Sequence, residues 1–169
     1  MRIARHILVP TDFSDAAAHA LEAASILARQ NDARVTLAHV LAVDPIHLDV
    51  DQLDQQRASV RELEAHAHRE LDARRTALMN EGVADVKTVL VRGKSAALSL
   101  CELAQSQDVD LIVMATHGRT GLPRLLVGSV TENVVRHATC PVFVLRAPSA
   151  KNPGSSVRPP PPPEPDDEA

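Results

Sequence analysis

The residues best suited to binding chemistry lie in one stretch, which reads DLIVMATHGRTGLPRLLVGSVTENVVRHATCPVFVLR. It opens with Leu111 to Ala115, an apolar run of the length expected for a buried strand. A loop rich in glycine and cations follows, and Gly128-Ser129 then begins a segment with helical apolar spacing. Glycines let a backbone approach a ligand closely, and free N–H groups at a helix start favour an anion. The order of strand, loop, helix and strand therefore favours a phosphate-binding site.

Each part of this stretch also has a simpler interpretation. Ser129 and Glu132 fit a capping box, in which a serine side chain satisfies the helix start without any ligand. Gly118 and Gly121 are equally suited to turning a loop. The apolar spacing predicts a buried helix face that consists of Val130, Val134, Val135 and Ala138.

The remaining elements must position this stretch. Continuous apolar runs predict strands covered on both faces, and apolar stripes of helical period alternate with them. The predicted elements before the stretch are a strand at His6–Pro10, a helix from Ser14 to about Arg29, a strand at Arg34–Leu41, a helix at about Gln52–Asn80, a strand within Val83–Val91 and a helix capped by Ser95. Five strands alternating with four helices predict an α/β fold, a doubly wound parallel sheet with helices on both faces.

The helical stripes predict which residues are buried. The first helix is expected to bury Ala17, Ala20, Leu21, Ala24, Leu27 and Ala28; the long helix Leu53, Val60, Leu63, Ala67, Leu71 and Leu78; and the third helix Ala97, Leu98, Cys101 and Ala104. Gly82 is expected to end the long helix, and Gly93 to turn the third strand. His66 and His68 are two residues apart and do not face one another on a helix, so no metal site is expected there.

Length and composition exclude several classes of protein. The 169 residues suit one domain with a proper core, and 44% of them are hydrophobic. Aromatic residues are only 1% and the net charge is −4, which argues against a nucleic-acid partner. Cys101 and Cys140 are expected to be packing residues in a reducing compartment. Because no apolar run suits a signal peptide or a membrane span, we expect a cytoplasmic protein without a membrane partner.

The chain is expected to divide into a domain and a tail. Residues 1–147 carry all of the predicted elements, whereas residues 148–169 are rich in proline and end in an acidic run. Prolines leave no room for a helix or a central strand. We therefore expect a disordered acidic tail with its proline run in the extended polyproline form.

The spacing in the opening stretch resembles the nucleotide-binding members of the universal stress protein family. Their signature is glycine, two residues, glycine, nine residues, glycine, then serine or threonine; here nine residues separate Gly118 from Gly128-Ser129. The segments HGRTGL, GSVTENVVRHA and CPVFVL also look like the family, and the resemblance covers nearly all of residues 3–146. It implies the adenine nucleotide hydrolase-like fold with sheet order 3-2-1-4-5. A ligand crevice is then expected at the carboxyl ends of the first and fourth strands.

The resemblance also implies a role for each residue of the site. Pro10-Thr11-Asp12 ends the first strand, Asp12 contacts the nucleoside, and main-chain groups at Val40 hold adenine. The loop after Gly118 wraps the phosphates, and the N–H groups of residues 128–130 donate to them. The expected binding residues are Pro10, Thr11, Asp12, Val40, Ala115, His117, Gly118, Arg119, Gly121, Gly128, Ser129 and Val130, with Arg124 as a further source of charge.

One position departs from the signature, because its first glycine falls on Ala115. If φ is positive there, a Cβ costs about 1 kcal/mol or more and the loop would shift. If Ala115 lies in the strand region, alanine costs nothing and its methyl group faces the ligand. Asp12 and Val40 likewise have simpler interpretations, as a turn residue and a core residue.

The implied function is regulatory binding in a stress response. ATP, alone or with Mg²⁺, would occupy the site and change which partners or oligomers form. Two alternatives stay open, a nucleotide-free interaction protein of the same fold and an enzyme that slowly hydrolyses ATP. The sequence shows no Ser-His-Asp order and no Walker A lysine, so at most weak ATPase activity is expected.

The last predicted strand, Pro141–Leu145, is an edge in the implied sheet order. Edge strands are normally guarded by charge, proline or a bulge, yet the four residues after Pro141 are apolar. This pattern predicts a homodimer in which two copies of the strand pair antiparallel, as the family resemblance also suggests. The alternative is that a loop or the proline-rich tail covers the edge.

Overall fold

A computed structural model describes residues 4–42, 50–116 and 128–146. The strands in these ranges are β1 (His6–Pro10), β2 (Arg34–Ala42), β3 (Val86–Gly93), β4 (Leu111–Ala115) and β5 (Val142–Leu145), and the helices are α1 (Asp15–Asn31), α2 (Val50–Asn80), α3 (Ala96–Ser106) and α4 (Ser129–His137). The strands form one parallel sheet in the order β3-β2-β1-β4-β5. The predicted doubly wound α/β fold and its strand order are confirmed. The predicted tail, 148–169, lies outside the described residues.

Alternate residues of each strand pack against opposite layers of helices. Ile7 and Val9 of β1 lie in one core with Leu37 of β2 and with apolar residues of α1 and α2. Leu8, between them, lies in a second core with Ala38 and with residues of α3 and α4. The sheet is therefore covered on both faces, which explains why its strands are continuous apolar runs.

Three helix ends follow the predicted chemistry. Ser14 and Ser95 each accept a hydrogen bond from the main-chain N–H three residues further on, so they cap α1 and α3. Gly82 has a φ of +95° and follows α2 with the two main-chain hydrogen bonds of a Schellman motif. Gly93 differs from its prediction, because it is the last residue of β3 and pairs with Ala42 instead of turning the chain.

Burial on α2 and α3 departs from the predicted stripes. Leu63 of α2 is 53% exposed, and Leu98 of α3 is 52% exposed while its neighbour Leu100 is buried. The predicted core residues of α2 that are buried are Ala67, Leu71 and Leu78. With 31 residues, α2 is about 46 Å long. The strands that it packs against, β2 and β3, have 9 and 8 residues, so the helix is longer than the sheet it covers.

A buried histidine joins the amino end of the sheet to α3. The His6 side chain is 3% exposed, with Nδ1 3.0 Å from the Gln107 carbonyl oxygen and Nε2 2.8 Å from Thr36 Oγ1. A carbonyl can only accept, so Nδ1 carries the hydrogen, and in the neutral ring Nε2 accepts from the threonine hydroxyl. Burial, followed by the charge of Arg34, lowers the pKa of His6. The ring is therefore neutral at pH 7 and ties β1, β2 and the end of α3 together.

No helix in the described ranges has the length and apolar character needed to cross a bilayer.

The contrast between two leucines on α2 gives a stability prediction. Leu71 is fully buried and Leu63 is mostly exposed. Leu71→Ala should lower the free energy of unfolding by about 2–5 kcal/mol, because it leaves a cavity in the core. Leu63→Ala should change it by about 0.5 kcal/mol or less. Chemical denaturation of both variants measures the difference, and equal losses would mean that α2 does not pack on the sheet as described.

Candidate functional site

The carboxyl ends of β1 and β4 open onto a cleft. From β1 the chain runs outward through β2 to β3, and it returns to the other side of β1 with β4. Doubly wound sheets bind ligands at such a switch point. The cleft has a volume of about 360 Å³, and the predicted residues that line it are Pro10, Thr11, Asp12, Val40, Ala115, Gly128, Ser129 and Val130. The predictions for His117, Gly118, Arg119, Gly121 and Arg124 fall outside the described residues.

Main-chain groups of Val40 point toward the cleft. The β1–β2 register ends where Pro10 pairs with Ala38, whereas β2 continues to Ala42. The Ala38 carbonyl accepts the Thr11 N–H at 2.8 Å, so the even-numbered residues of this part of β2 direct their N–H and C=O toward β1. Val40 is the next such residue, and β1 has ended before reaching it. Its N–H and C=O therefore face the space between β2 and β4.

The turn after β1 is built from short polar contacts. Asp12 Oδ1 accepts from the Ser14 N–H at 3.1 Å and from Ser14 Oγ at 2.5 Å. Thr11 Oγ1 accepts from the Phe13 N–H at 3.1 Å. One carboxylate oxygen of Asp12 thus serves the turn, as the simpler interpretation of this residue expected. The same turn places Asp12 in the wall of the cleft.

Phe13, the next residue of this turn, has an unusual backbone. Its φ is +66°, a left-handed conformation that costs a residue with a side chain about 1 kcal/mol or more. Its ring stacks on His39 with the ring centroids 4.4 Å apart. Nothing in the sequence pattern predicted this conformation, because glycine or asparagine is the usual residue there.

The opposite wall of the cleft is the start of α4. Gly128 precedes the helix with φ −57° and ψ 144°, and its N–H donates to the Thr116 carbonyl at 2.6 Å. Ser129 is the first helical residue, and no side-chain hydrogen bond caps this helix start, so the capping-box interpretation is wrong. The expectation that Gly128 donates its N–H to phosphate also changes, because that group already has a partner. The amides of Ser129, Val130 and Thr131 belong to the first turn, which has no carbonyl partners within the helix.

Thr131 fixes α4 against β4. Its side chain is 4% exposed, and its hydroxyl donates to the Ala115 carbonyl at 2.8 Å. The buried face of α4 consequently includes Thr131 and Val134, whereas Val130 and Val135 are exposed, contrary to the predicted face. The apolar spacing missed Thr131 because it is polar, although it lies three residues before Val134, as a residue of the same face should.

Ala115 lies within β4 and pairs with Leu145 of β5. It is not among the residues with positive φ, so alanine carries no backbone cost there. Of the two alternatives left by the sequence, the structure selects the strand conformation. Ala115 lines the cleft, and its side chain also packs against the first core.

The chemical groups of the described lining are hydroxyls, main-chain amides, apolar surface, the His39 imidazole and the Asp12 carboxylate. Sequence reasoning missed some of the lining residues, which include Ala96, Leu100 and Met114. They come from strand and helix positions that are indistinguishable from core positions in sequence. The described lining includes no lysine or arginine, so an anion held by it must be bound by main-chain N–H groups, by hydroxyls or by the His39 ring.

Other potentially reactive groups support structure in the part of the chain that is described. Burial raises the pKa of both Cys101 and Cys140, which lie beside the second core, so these thiols are protonated at neutral pH. No three His, Cys, Asp or Glu side chains of the described ranges gather where they could hold a metal ion.

The fold and the cleft define a doubly wound α/β protein with a cleft at the switch point of its sheet. Residues 4–146 match the model of the universal stress protein family. A universal stress protein of Methanocaldococcus jannaschii is 33% identical over 145 residues, which are 85% of this chain and 83% of that protein. The chain belongs to the universal stress protein family, as the sequence resemblance indicated.

Solved structures share the same architecture. The universal stress protein UspA from Lactobacillus plantarum matches with a TM-score of 0.77 and 30% identity, over 86% of this chain and 99% of that one. The universal stress protein from Archaeoglobus fulgidus in complex with dAMP matches with a TM-score of 0.60 and 23% identity, over 84% and 98%. At that identity the second likeness concerns the fold alone.

The tie between α4 and β4 gives a second prediction. Thr131→Val removes the hydroxyl that satisfies the Ala115 carbonyl and should lower the free energy of unfolding by about 1–3 kcal/mol. Thr131→Ser keeps the donor and should remain within about 1 kcal/mol of wild type. Thermal unfolding of the two variants tests this, and a Thr131→Val protein as stable as wild type would show that the hydrogen bond is not the tie.

Proposed function

We propose that this protein binds ATP in the cleft, alone or with Mg²⁺, and that occupancy controls which partners or oligomers form. The observation that carries the proposal is the arrangement of main-chain groups on the two sides of the cleft. Val40 presents an N–H and a C=O where β1 has ended, and the first turn of α4 presents amides from the opposite wall. A base can pair with the first set, and phosphates suit the second.

The lining supports an adenine nucleotide in two further ways. The region around Val40 includes Ala38, Leu100 and Met114, which offer apolar surface to the faces of a base. The volume of about 360 Å³ falls within the usual range of small-molecule sites, about 300–1,000 Å³. The complex of the Archaeoglobus fulgidus protein with dAMP illustrates that a protein of this fold can hold an adenine nucleotide.

Mass spectrometry of small molecules released from the purified protein tests the proposal directly. Co-purified ATP supports it, and ATP that converts to ADP with time favours the slow hydrolase instead. If no nucleotide is released and calorimetry with added ATP gives no heat, the protein is the nucleotide-free interaction protein of the same fold.

We predict ATP binding in the micromolar range, about −8 kcal/mol, and its loss in Gly128→Val. The φ of −57° at Gly128 is accessible to any residue, so valine should not strain the backbone. Its side chain should instead fill space beside the first turn of α4. Calorimetry measures binding and thermal unfolding checks the fold. Unchanged ATP heat in a folded variant would place the nucleotide elsewhere.

Ala115→Gly should keep or improve the affinity for ATP. The substitution restores the signature glycine and removes one methyl group from the cleft wall. A modest loss of stability, about 0.5–1 kcal/mol, is expected because glycine weakens a strand. An affinity reduced more than tenfold would mean that the Ala115 methyl group packs favourably on the ligand.

We further propose a homodimer built on β5, with the binding function contained in residues 1–147 of a cytoplasmic protein. β5 is an edge of the sheet, and Phe143 is 46% exposed on it. An antiparallel copy of the strand would satisfy its outward main-chain groups and cover the phenyl ring.

Val144→Lys should split such a dimer, because two like charges would oppose each other near the two-fold axis. Sedimentation at micromolar concentration should give a dimer for wild type and a monomer for the variant. A wild-type monomer would refute the dimer, and a dimeric Val144→Lys protein would locate the interface on another surface.

A further inference from the structure

The ring of Phe13 is held from three sides next to the proposed nucleotide site. It stacks on His39 of β2 with an interplanar angle of 25°, and it meets His66 of α2 edge-on at a centroid distance of 6.3 Å. The guanidinium carbon of Arg74, also on α2, lies 4.8 Å from its centroid. The position of the ring is therefore set jointly by the sheet and by the longest helix.

Two of the three groups around the ring, His39 and Arg74, are themselves held by hydrogen bonds. His39 Nδ1 donates to the Thr11 carbonyl at 2.7 Å, so the stacked imidazole also holds the residue before Asp12. Arg74 forms an ion pair with Glu70 at 2.6 Å and donates to the Glu70 carbonyl at 3.1 Å. We call Phe13, His39, His66 and Arg74 the Phe13 cluster.

The Phe13 cluster is centred on a residue whose left-handed backbone conformation is unfavourable in isolation. A left-handed residue with a bulky side chain persists only where its surroundings determine it, and such residues cluster at functional sites. Phe13 follows Asp12 directly, so its left-handed φ of +66° sets the direction in which the turn enters α1. Phe13 itself is not part of the cleft lining, whereas Thr11 and Asp12 are.

We propose that Phe13 is a positioning residue for the nucleotide site and acts through Thr11 and Asp12. The contacts of the Phe13 ring hold the turn in the one conformation in which Asp12 faces the ligand. Because some of these contacts come from α2, the conformation of the turn is coupled to that helix. The inference rests on the proposed function, because it assigns the turn a ligand to receive. Without the ring, the turn samples other conformations. The apparent affinity for ATP then falls in proportion to the fraction of molecules in which the turn has the binding conformation.

The test compares three variants by ATP calorimetry and by hydrogen exchange of the ligand-free protein. Phe13→Leu should weaken ATP binding about tenfold, as expected if the turn is competent about one tenth of the time. It should also speed amide exchange in residues 11–14. Phe13→Tyr keeps the ring and should match wild type in both measurements. Val86→Ala, in the core at the amino end of β3, should lower stability without changing affinity or exchange in the turn.

The outcomes separate this inference from the proposed function. If wild type binds ATP and Phe13→Leu binds it equally well with unchanged exchange, Phe13 does not position the site. If Val86→Ala loses as much affinity as Phe13→Leu, the effect is general destabilisation and the inference also fails. If wild type does not bind ATP, the proposed function fails, and unchanged exchange in Phe13→Leu would then overturn the positioning role independently.

Discussion

The structure depends on a mismatch of strand length at the centre of the sheet. β1 ends at Pro10, while its neighbour β2 continues to Ala42. In a sheet covered on both faces, polar main-chain groups require hydrogen-bond partners. Where one strand ends early, the main-chain groups of its longer neighbour must find partners in the residues that follow the short strand or in a ligand. Thr11 satisfies the Ala38 carbonyl, and the groups of Val40 are left facing the cleft. The crevice at the switch point thus results from the unequal lengths of β1 and β2, and it is lined in part by main-chain N–H and C=O groups that β1 does not pair.

The two walls of the cleft are held in different ways. The α4 wall is fixed by hydrogen bonds to the end of β4, through the Gly128 amide and the Thr131 hydroxyl. These bonds fix the start of the helix to the end of the strand that precedes it. The Asp12 wall is a turn of few residues, and the Phe13 ring of this turn contacts side chains from β2 and α2. The Asp12 turn therefore contacts α2 through Phe13, whereas α4 packs with α3 in the second core.

The sequence predicted the sheet and its connections well because they follow from strong local signals. Continuous apolar runs such as Ile7 to Val9 and the two serine caps are confirmed with nearly their expected bounds. Helix burial was predicted less well. Leu63, Leu98 and Val135 carry the correct spacing but are exposed, since burial depends on where each helix lands on the sheet. For α4 the position is set by Thr131, a polar residue that an apolar pattern cannot include.

The candidate site could also be predicted only in part from the sequence. The glycine spacing and the strand ends placed Asp12, Ala115 and Ser129 at one cleft, because topology alone brings those chain positions together. The left-handed backbone of Phe13 could not be predicted, since the rings that contact its side chain come from β2 and α2, which are distant in sequence. Sequence can indicate which residues reach a site, whereas the conformation of a short turn depends on contacts that only the fold creates.

The departure at Ala115 clarifies what the glycine signature measures. Ala115 adopts an ordinary strand conformation, and Gly128 has a φ that any residue can adopt. Neither position therefore needs glycine for its backbone. Both positions line the cleft, so a larger side chain at either of them adds atoms beside it. Alanine at position 115 carries no backbone strain, so this departure from the signature does not by itself disturb the fold.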